Sequence, residues 1–171
     1  MTYSIRNINH DDIFKIKKIR NEQMDVLRQT KLLTDSNQEK WFNDIILPSY
    51  NSKTKTLNFT ILYDNEFIGY GGLVYIDYVN KNAEVSFLVE KKRTKNNKLF
   101  EQDFSFFLNF IINYSYRNLK LHKLHTETFE FRKRAILILE KYGFKKEGVL
   151  KEQILFKNSF INSIKHGLIL N

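Results

Sequence analysis

The sequence predicts a mixed α/β domain with a single core, and three observations support this fold class. The chain has 171 residues, of which 42% are hydrophobic. This length is enough for one domain with a well-buried core and short for two domains. Three β-rich runs separated by turn residues fill residues 57–89. Before and after them, strand-like and helical patterns alternate along the chain. We therefore expect one domain spanning residues 1–171 and built on a mostly antiparallel sheet.

The first fifty residues predict a strand followed by two helices. Residues 3–8 alternate as a strand does, and Asn9 then stands where a helix N-cap is expected. Three isoleucines share one face of the helix that follows: Ile13, Ile16 and Ile19. Ser36 and Glu39 have the spacing of a capping box and predict the start of a second helix. Pro48, the only proline, suits a position just beyond the end of that helix.

The β-rich runs and the C-terminal half complete the element order β α α β β β α β α β β. Short turns join the runs over residues 57–89, so these runs predict an antiparallel meander. A long apolar-faced helix follows, with Phe100, Phe104, Phe107, Leu108 and Ile111 at helical spacing. After the next strand, a helix ends at Gly143, where glycine adopts a left-handed backbone most easily. The strand, long helix and strand in sequence predict one parallel pair.

The composition excludes several kinds of site. The chain has no cysteine, which removes disulfides, thiolate metal sites and a cysteine nucleophile, and its four histidines lack the spacing of a zinc site. We therefore expect no metal. The sequence has no run of 18 apolar residues and no apolar leader, which predicts a cytoplasmic protein without a membrane span. The net charge of +9 suits nucleic acid, anionic lipid or a phosphate-bearing cofactor, or else a solvated lysine-rich surface.

The most specific motif is the stretch RKRAILILEKYGFKKEG at residues 132–148. Together with the element order and AEVSFLVE at residues 83–90, it resembles the GNAT N-acetyltransferases, which use acetyl-CoA to acetylate amines. The matching residues are Ala135, Glu140, Lys141, Gly143, Phe144, Glu147 and Gly148. Arg132 stands where the family usually has asparagine. The resemblance covers nearly the whole chain and implies helices on both faces of the sheet, with two parallel strands splayed apart for coenzyme A.

The N-terminal half resembles a narrower branch of that family, which contains ribosomal-protein alanine acetyltransferases and enzymes acting on amino sugars of surface polysaccharides. The matching stretches are IRNEQMDVLRQ at residues 19–29 and QEKWFNDI at residues 38–45. Trp41 and Phe42 in the second stretch fit the apolar face of a helix equally well. The branch resemblance therefore suggests an amino-sugar acceptor without deciding it.

The family resemblance implies an acetyl-CoA site along the fourth strand and the start of the long helix. Backbone amides of that strand should bond the pantetheine arm, at Ser86, Phe87, Leu88 and Val89. Loop glycines normally hold the pyrophosphate next, but the corresponding residues 93–98 contain none. The loop instead offers cations and two asparagines that tolerate the left-handed backbone of an anion nest: Arg93, Lys95, Asn96, Asn97 and Lys98. Arg132 completes the expected cofactor contacts.

Acetyl transfer to an amine needs a base for the ammonium proton and an acid or a good leaving group at the sulfur. Glu84, entering the fourth strand, and Glu127, on the facing strand, are both candidates for the base. The family usually has a tyrosine four residues after the motif alanine, where this chain has Leu139. Tyr142 or Ser86 is the alternative hydroxyl, or the thiolate leaves unassisted. Because no cysteine is present, we expect direct attack of the amine on the thioester.

In this family, the acceptor is usually contacted from the turn after the first helix and from the closing strands. The first region contains Arg20, Asn21 and Arg28, which could hold phosphate groups. Tyr70 and Asp77 flank a possible cleft beside glycines of the third strand, and those glycines permit either close approach of a ligand or tight packing. His166, on the closing strand, faces the site or is structural.

The sequence therefore predicts an acetyl-CoA-dependent N-acetyltransferase acting on a small-molecule amine, with a nucleotide-linked amino sugar favoured. A protein N-terminus, as in the ribosomal-protein enzymes, is the alternative acceptor. From another class, a GNAT fold that has lost catalysis could serve as a binding protein, which the missing loop glycines favour. No strand pair has the interleaved aromatics and arginines of an RNA-binding surface, so we expect no specific nucleic acid partner. A homodimer is expected from the family.

Overall fold

The computed structural model describes residues 2–171, which form seven strands and six α-helices. The strands are β1 Tyr3–Asn7, β2 Leu57–Tyr63, β3 Glu66–Asp77, β4 Asn82–Val89, β5 Lys123–Phe129, β6 Lys145–Phe156 and β7 Ser159–Ile169. The helices are α1 His10–Asn21, α2 Asp35–Trp41, α3 Leu47–Ser49, α4 Lys91–Lys95, α5 Asn97–Arg117 and α6 Lys133–Lys141. A 3₁₀ turn covers Met24–Val26, and a π-helical turn covers Phe42–Ile46. Within this part of the chain, no helix has the length and apolar character needed to cross a membrane.

All seven strands belong to one sheet, in the order β1-β2-β3-β4-β5-β7-β6. Neighbouring strands are antiparallel except β4 and β5, which are parallel. The predicted meander and the predicted single parallel pair are thereby confirmed. β4 and β5 pair only from Asn82 opposite Lys123 to Glu84 opposite His125. Beyond these residues the two strands part, which is the splay that the family resemblance implied.

Helices cover both faces of the sheet, and each face has its own apolar cluster. On the face covered by α5 and α6, Phe87 of β4 stacks on Phe104 and Phe107 with ring centroids 4.6 and 5.1 Å apart. Helix α1 and the π-helical turn cover the other face, with a cluster that includes Ile13, Ile16, Phe42 and Ile46. Because successive strand residues point to opposite faces, neighbours of Phe87 on β4 face the α1 side.

The helix starts follow local sequence patterns closely but not completely. Asn9 caps α1 as predicted. At α2 the reciprocal cap joins Thr34 and Asn37, not Ser36 and Glu39 as expected. The Thr34 hydroxyl accepts the backbone N–H of Asn37 at 3.1 Å, and the Asn37 amide oxygen accepts the backbone N–H of Thr34 at 2.9 Å. The asparagine amide therefore takes the part that glutamate plays in the usual capping box.

Proline and glycine mark two further helix boundaries. Pro48 lies in α3, directly after the π-helical turn, and not beyond a helix as expected. Gly143 ends α6 as predicted, with a φ of 89°. Its N–H donates to the carbonyl of Glu140 at 3.0 Å, and the N–H of Phe144 donates to the carbonyl of Leu139 at 3.1 Å. These bonds form a Schellman motif that turns the chain into β6.

Candidate active site

A cleft of about 390 Å³ opens where β4 and β5 part. Residues 84–87 of β4 form one wall, and residues 126–129 of β5 form the other. Helix α6 contributes Ala135 and Leu139, and the segment between α1 and α2 contributes Arg28. Because the two strands are not paired beyond Glu84 and His125, an extended ligand can use the strand edges that face the cleft.

Glu84 and Glu127, the two predicted base candidates, share one cation in this cleft. Arg28 forms an ion pair with Glu84 through Nη2, and its Nη1 lies 3.7 Å from Oε2 of Glu127. The Ser163 hydroxyl donates to Oε1 of Glu127 at 2.9 Å, and Nζ of Lys165 lies 3.5 Å from Oε2. Glu84 is buried, whereas the side chain of Arg28 is 47% exposed. The fold thus brings together three residues that the sequence presented separately.

Arg20 also lines the cleft, but two neighbouring substrate candidates do not. Nη1 of Arg20 donates to the hydroxyl of buried Tyr70 at 2.6 Å, and Nε donates to Gln29 at 3.0 Å. Asn21 binds the backbone of Leu33 through both ends of its amide and also accepts from Gln29. The expectation that Asn21 and Tyr70 contact substrate is therefore corrected, because their polar groups hold Arg20 and the following segment in place.

Arg132 reaches the cleft from the start of α6. It lines the cleft and also a neighbouring cavity of about 230 Å³, which Lys133 and Arg134 share. Among residues 2–171, the Arg132 guanidinium has no hydrogen-bond or ion-pair partner; burial lowers its pKa, and the attraction of nearby Asp25 opposes this shift. A partly buried cation without a partner is destabilising, so this arrangement suits an anionic ligand.

Arg93 is not available to a phosphate group, which corrects a second expectation. Its Nε and Nη2 each donate to the carboxylate of Asp103 at 2.7 Å, and both residues are buried. The guanidinium also lies over the ring of Tyr63, 5.2 Å from the centroid. The Tyr3 hydroxyl donates to the same carboxylate at 2.7 Å, and burial together with this contact raises the pKa of Tyr3. Arg93 therefore ties α4 to α5 and to the edge of the sheet.

The segment at the expected pyrophosphate position is a helix cap and not an anion nest. Asn96 has a φ of −95°, and Asn97 is the first residue of α5, so neither adopts the left-handed backbone that was expected. The Asn96 side chain accepts the N–H groups of Lys98 and Leu99, both at 3.1 Å. Two donors that would face a phosphate are thus already bonded. The side chains of Lys95 and Lys98 remain exposed near this end of α5.

The four β4 residues expected to present amides divide into two pairs. Ser86 and Phe87 line the cleft. Leu88 and Val89 are buried, and the carbonyl of Val89 accepts a hydrogen bond from Nε2 of Gln23 at 2.8 Å. The strand edge that faces the cleft therefore ends near Phe87.

The family position of the thiolate acid holds no hydroxyl group. Leu139 lines the cleft at that position. Tyr142 follows the last turn of α6, and its hydroxyl accepts a hydrogen bond from Asn109 of α5 at 3.1 Å. The expectation that Tyr142 acts in the site is corrected, because Tyr142 is the C-cap residue of α6, its hydroxyl is bonded to α5, and it does not line the cleft. Ser86 is the other predicted hydroxyl, and it does line the cleft.

Asp77 and His166 also lie away from the cleft, contrary to expectation. Asp77 caps the turn between β3 and β4 by accepting the N–H groups of Val79 and Asn80, both at 2.9 Å. His166 is fully buried next to α6, where Nε2 lies 3.8 Å from Glu140, and neither ring nitrogen has a hydrogen-bond partner among residues 2–171. The same described residues contain no group of three or more His, Asp and Glu side chains that could hold a metal ion.

Sequence reasoning missed Tyr75, which lines the cleft, and His125, which lies beside Glu84 but outside the cleft lining. Tyr75 lines the cleft, although strict alternation along β3 would have placed it on the opposite face. His125 lies opposite Glu84 across the parallel pair, and burial lowers the pKa of its imidazole, which keeps it neutral at neutral pH. The position of His125 two residues before Glu127 was a signal that could have identified it.

The comparison with protein families decides to which family the fold belongs. A family model described as "Acetyltransferase (GNAT) domain" matches residues 5–164. The chain belongs to this family. It is an N-acetyltransferase, and acetyl-CoA is its acetyl donor. The GNAT resemblance read from residues 132–148 is thereby confirmed, whereas the narrower branch is not decided by this match.

Solved structures with the same fold include spermidine N-acetyltransferases from Vibrio cholerae. One, in complex with CoA and spermine, is 19% identical, covers 98% of this chain and 95% of its own, and gives a TM-score of 0.84. A dodecameric structure is 17% identical over 98% of this chain and 94% of its own, with a TM-score of 0.80. At these identities the likeness shows the fold. A search of curated proteins found no match.

Proposed function

We propose that this GNAT enzyme acetylates the primary amine of a small molecule and that Glu84 and Glu127 receive that amine. The observation that carries the proposal is the pair of carboxylates bridged by Arg28 at the point where β4 and β5 part. Two acids from neighbouring strands that face one cation form a site for a cationic group. A substrate ammonium is such a group, and it would displace the half-exposed Arg28 side chain.

Acetyl-CoA fits the other half of the cleft. The edge of β4 at Ser86 and Phe87 suits the amides of an extended pantetheine arm. Arg132, which has no partner among residues 2–171, suits a phosphate group, and Lys133 and Arg134 add positive charge beside it. The net charge of +9 also attracts a polyanion to the protein. When bound, acetyl-CoA supplies the acetyl thioester.

Proton transfer is the work of the chain's own residues. Glu84 or Glu127 takes a proton from the ammonium, which leaves a neutral amine with an available electron pair. That pair forms the new bond between nitrogen and the carbonyl carbon, and the carbon–sulfur bond breaks with its electrons remaining on sulfur. The nitrogen then loses its second proton, which the leaving thiolate takes up directly or through water, so that coenzyme A leaves as the free thiol. Ser86 is the hydroxyl in the cleft that can donate a hydrogen bond to sulfur; without it the thiolate leaves unassisted.

The charges of the cleft favour an acceptor that carries anionic groups as well as an amine. With Arg132 assigned to coenzyme A, Arg20 and Arg28 line the rest of the cleft and Lys165 lies 3.5 Å from Glu127, which makes three cations against two carboxylates. The surplus cations suit phosphate groups, which arginine binds well. A nucleotide-linked amino sugar combines a primary amine with phosphates, and it is the acceptor that we favour. A protein N-terminus is the alternative within the same chemistry.

A polyamine is the second candidate acceptor. The similar solved structures are spermidine N-acetyltransferases, and one of them is a complex with spermine. The Glu84 and Glu127 pair would suit one ammonium group of such a substrate. The surplus of positive charge in the cleft opposes it, because a polyamine carries several ammonium groups and no anion to meet the arginines.

An acceptor panel tests the proposal. We would measure release of the free thiol from acetyl-CoA with UDP-glucosamine, with spermidine and with a short peptide that has an alanine N-terminus. We expect turnover with UDP-glucosamine and little with the other two amines. If only spermidine is acetylated, the acceptor is a polyamine, and if only the peptide is acetylated, the acceptor is a protein N-terminus. Binding of acetyl-CoA without turnover of any amine would favour a GNAT fold that has lost catalysis.

Other properties stay predictions. A single N-acetyltransferase domain over residues 1–171 is supported by the family match over residues 5–164. A homodimer stays a prediction. A solved structure with the same fold is a dodecamer, which supports self-association in general. A cytoplasmic location and the lack of a specific nucleic acid partner are predictions from composition.

A further inference from the structure

Tyr75 is an exposed aromatic residue at the acceptor side of the cleft. It lines the cleft together with Thr56 and Val74, and 66% of its surface is exposed. Val74 of β3 pairs with Glu84 of β4, which is a candidate base. Tyr75 is the next residue after Val74 and therefore lies near Glu84. The residues that suit coenzyme A lie farther along β4, at Ser86 and Phe87, and at the start of α6, at Arg132. Tyr75 therefore belongs to the half of the cleft that receives the amine.

A β-bulge in β3 turns Tyr75 toward the cleft. The register between β3 and β4 shifts between Val74 and Asp77, where three steps along β3 match two along β4. Leu73 and Ile76 are both buried in the cluster under α5, although residues three apart on an unbroken strand point to opposite faces. The bulge thus keeps Ile76 in the core and directs Tyr75 outward.

The backbone of Tyr75 is strained, and its side chain has no ring or polar partner among residues 2–171. Its φ is 53°, in the left-handed region that is unfavourable for a bulky residue and easy for glycine. Among residues 2–171, the Tyr75 side chain makes no hydrogen bond, ring stacking contact or cation–π contact that would offset this strain. The bulge accounts for this backbone conformation, and bulges are common next to active sites, where they re-aim a side chain.

We infer that Tyr75 is a specificity-determining residue that stacks on a ring of the acceptor. The inference rests on the proposed function and narrows its substrate class to amines linked to a sugar ring or a nucleobase. A tyrosine side chain offers a flat apolar surface and has little rotational freedom. A ring of the acceptor can stack on this surface, whereas an acyclic amine cannot. Arg28 and the two carboxylates lie on the same side of the cleft for the charged parts of the acceptor.

Three variants separate the ring from the backbone strain. Tyr75→Phe keeps the ring, Tyr75→Ala removes it and keeps the strain, and Tyr75→Gly removes both. We would measure the KM of each for UDP-glucosamine, for 2-aminoethyl phosphate as an acceptor without a ring, and for acetyl-CoA. We expect the Ala and Gly variants to raise the KM for UDP-glucosamine about tenfold, equivalent to about 1.4 kcal/mol. The Phe variant should stay within about twofold, and the other two KM values should not change.

Melting temperatures complete the test. The Gly variant should melt at or above the Ala variant, because only glycine adopts this φ without strain. An unchanged KM for UDP-glucosamine in the Ala and Gly variants, with turnover intact, would overturn this inference and leave the proposed function standing. A raised KM in the Ala variant alone would also overturn it, since backbone geometry would then be the cause. Binding of acetyl-CoA without turnover of any amine would overturn the proposed function and this inference together.

Discussion

Arg93 and Asp103 form a buried ion pair between α4 and α5. Removing Asp103 leaves a buried guanidinium without its partner, which costs about 3–5 kcal/mol in similar pairs. We expect Asp103→Ala to lower the free energy of unfolding by that amount in urea denaturation. Lys95→Ala, at an exposed position of α4, should change it by less than about 0.5 kcal/mol. An Asp103→Ala protein as stable as the wild type would contradict the structural role given to Arg93.

Arg132 is the cation of the cleft that we expect to bind coenzyme A. A hydrogen bond to a charged group contributes about 1.5–3 kcal/mol, so Arg132→Ala should weaken acetyl-CoA binding about tenfold or more in calorimetry. Arg117→Ala is the control, because it removes the same charge at an exposed position at the end of α5. It should leave the affinity for acetyl-CoA unchanged. Equal affinities of the Arg132 variant and the wild type would remove Arg132 from the cofactor site.

Buried His166 makes stability depend on pH. Burial lowers its pKa, Lys146 acts in the same direction, and Glu140 and Glu147 oppose them. The unfolded imidazole titrates near pH 6.5 and the folded one below it, so the unfolded chain binds more protons as the pH falls through that value. Stability is therefore lost on acidification below about pH 6.5. We expect His166→Leu to lose less stability than the wild type between neutral and mildly acid pH in thermal melts; identical pH dependence would refute this.

Within the β3 element, Gly72 allows neighbouring strands to approach. A Cβ at Gly72 would lie 2.0 Å from the carbonyl oxygen of Leu57, which is backbone and cannot swing away. Gly72→Ala should therefore lower the free energy of unfolding by about 1–3 kcal/mol or more in urea denaturation. Gly148→Ala is the control, because a Cβ there has no atom within 4 Å. Equal effects of the two substitutions would contradict the close packing.

Structural features that depend on residues close together in the sequence could be predicted from it. Features that depend on contacts between distant parts of the chain could not. The Asn9 cap and the Gly143 turn depend on residues a few places away, and both were predicted. The pairing of Arg93 with Asp103 depends on how α4 meets α5, and the sequence instead suggested a phosphate contact. The bulge at Tyr75 arises from the register between two strands, which alternation along one strand does not reveal.

At the scale of the whole molecule, the site lies where two parts of the sheet meet. The meander of β2, β3 and β4 pairs with the C-terminal strands through residues 82–84 and 123–125, and the cleft opens beyond this pairing. The family could be recognised from residues 132–148 because that helix and turn have a local pattern. The acceptor could not be predicted in the same way, because Glu84, Glu127 and Arg28 come from separate parts of the chain.

The central claim is that Glu84 and Glu127 receive the amine, and a rate measurement on the double variant Glu84→Gln/Glu127→Gln tests it most directly. Thiol release from acetyl-CoA would be followed with the best acceptor of the panel, and acetyl-CoA affinity would be measured on the same preparations. We predict a fall in kcat of about 100-fold or more, the usual range for losing a general base, with unchanged acetyl-CoA affinity. A double variant that turns over the amine at the wild-type rate would contradict the claim.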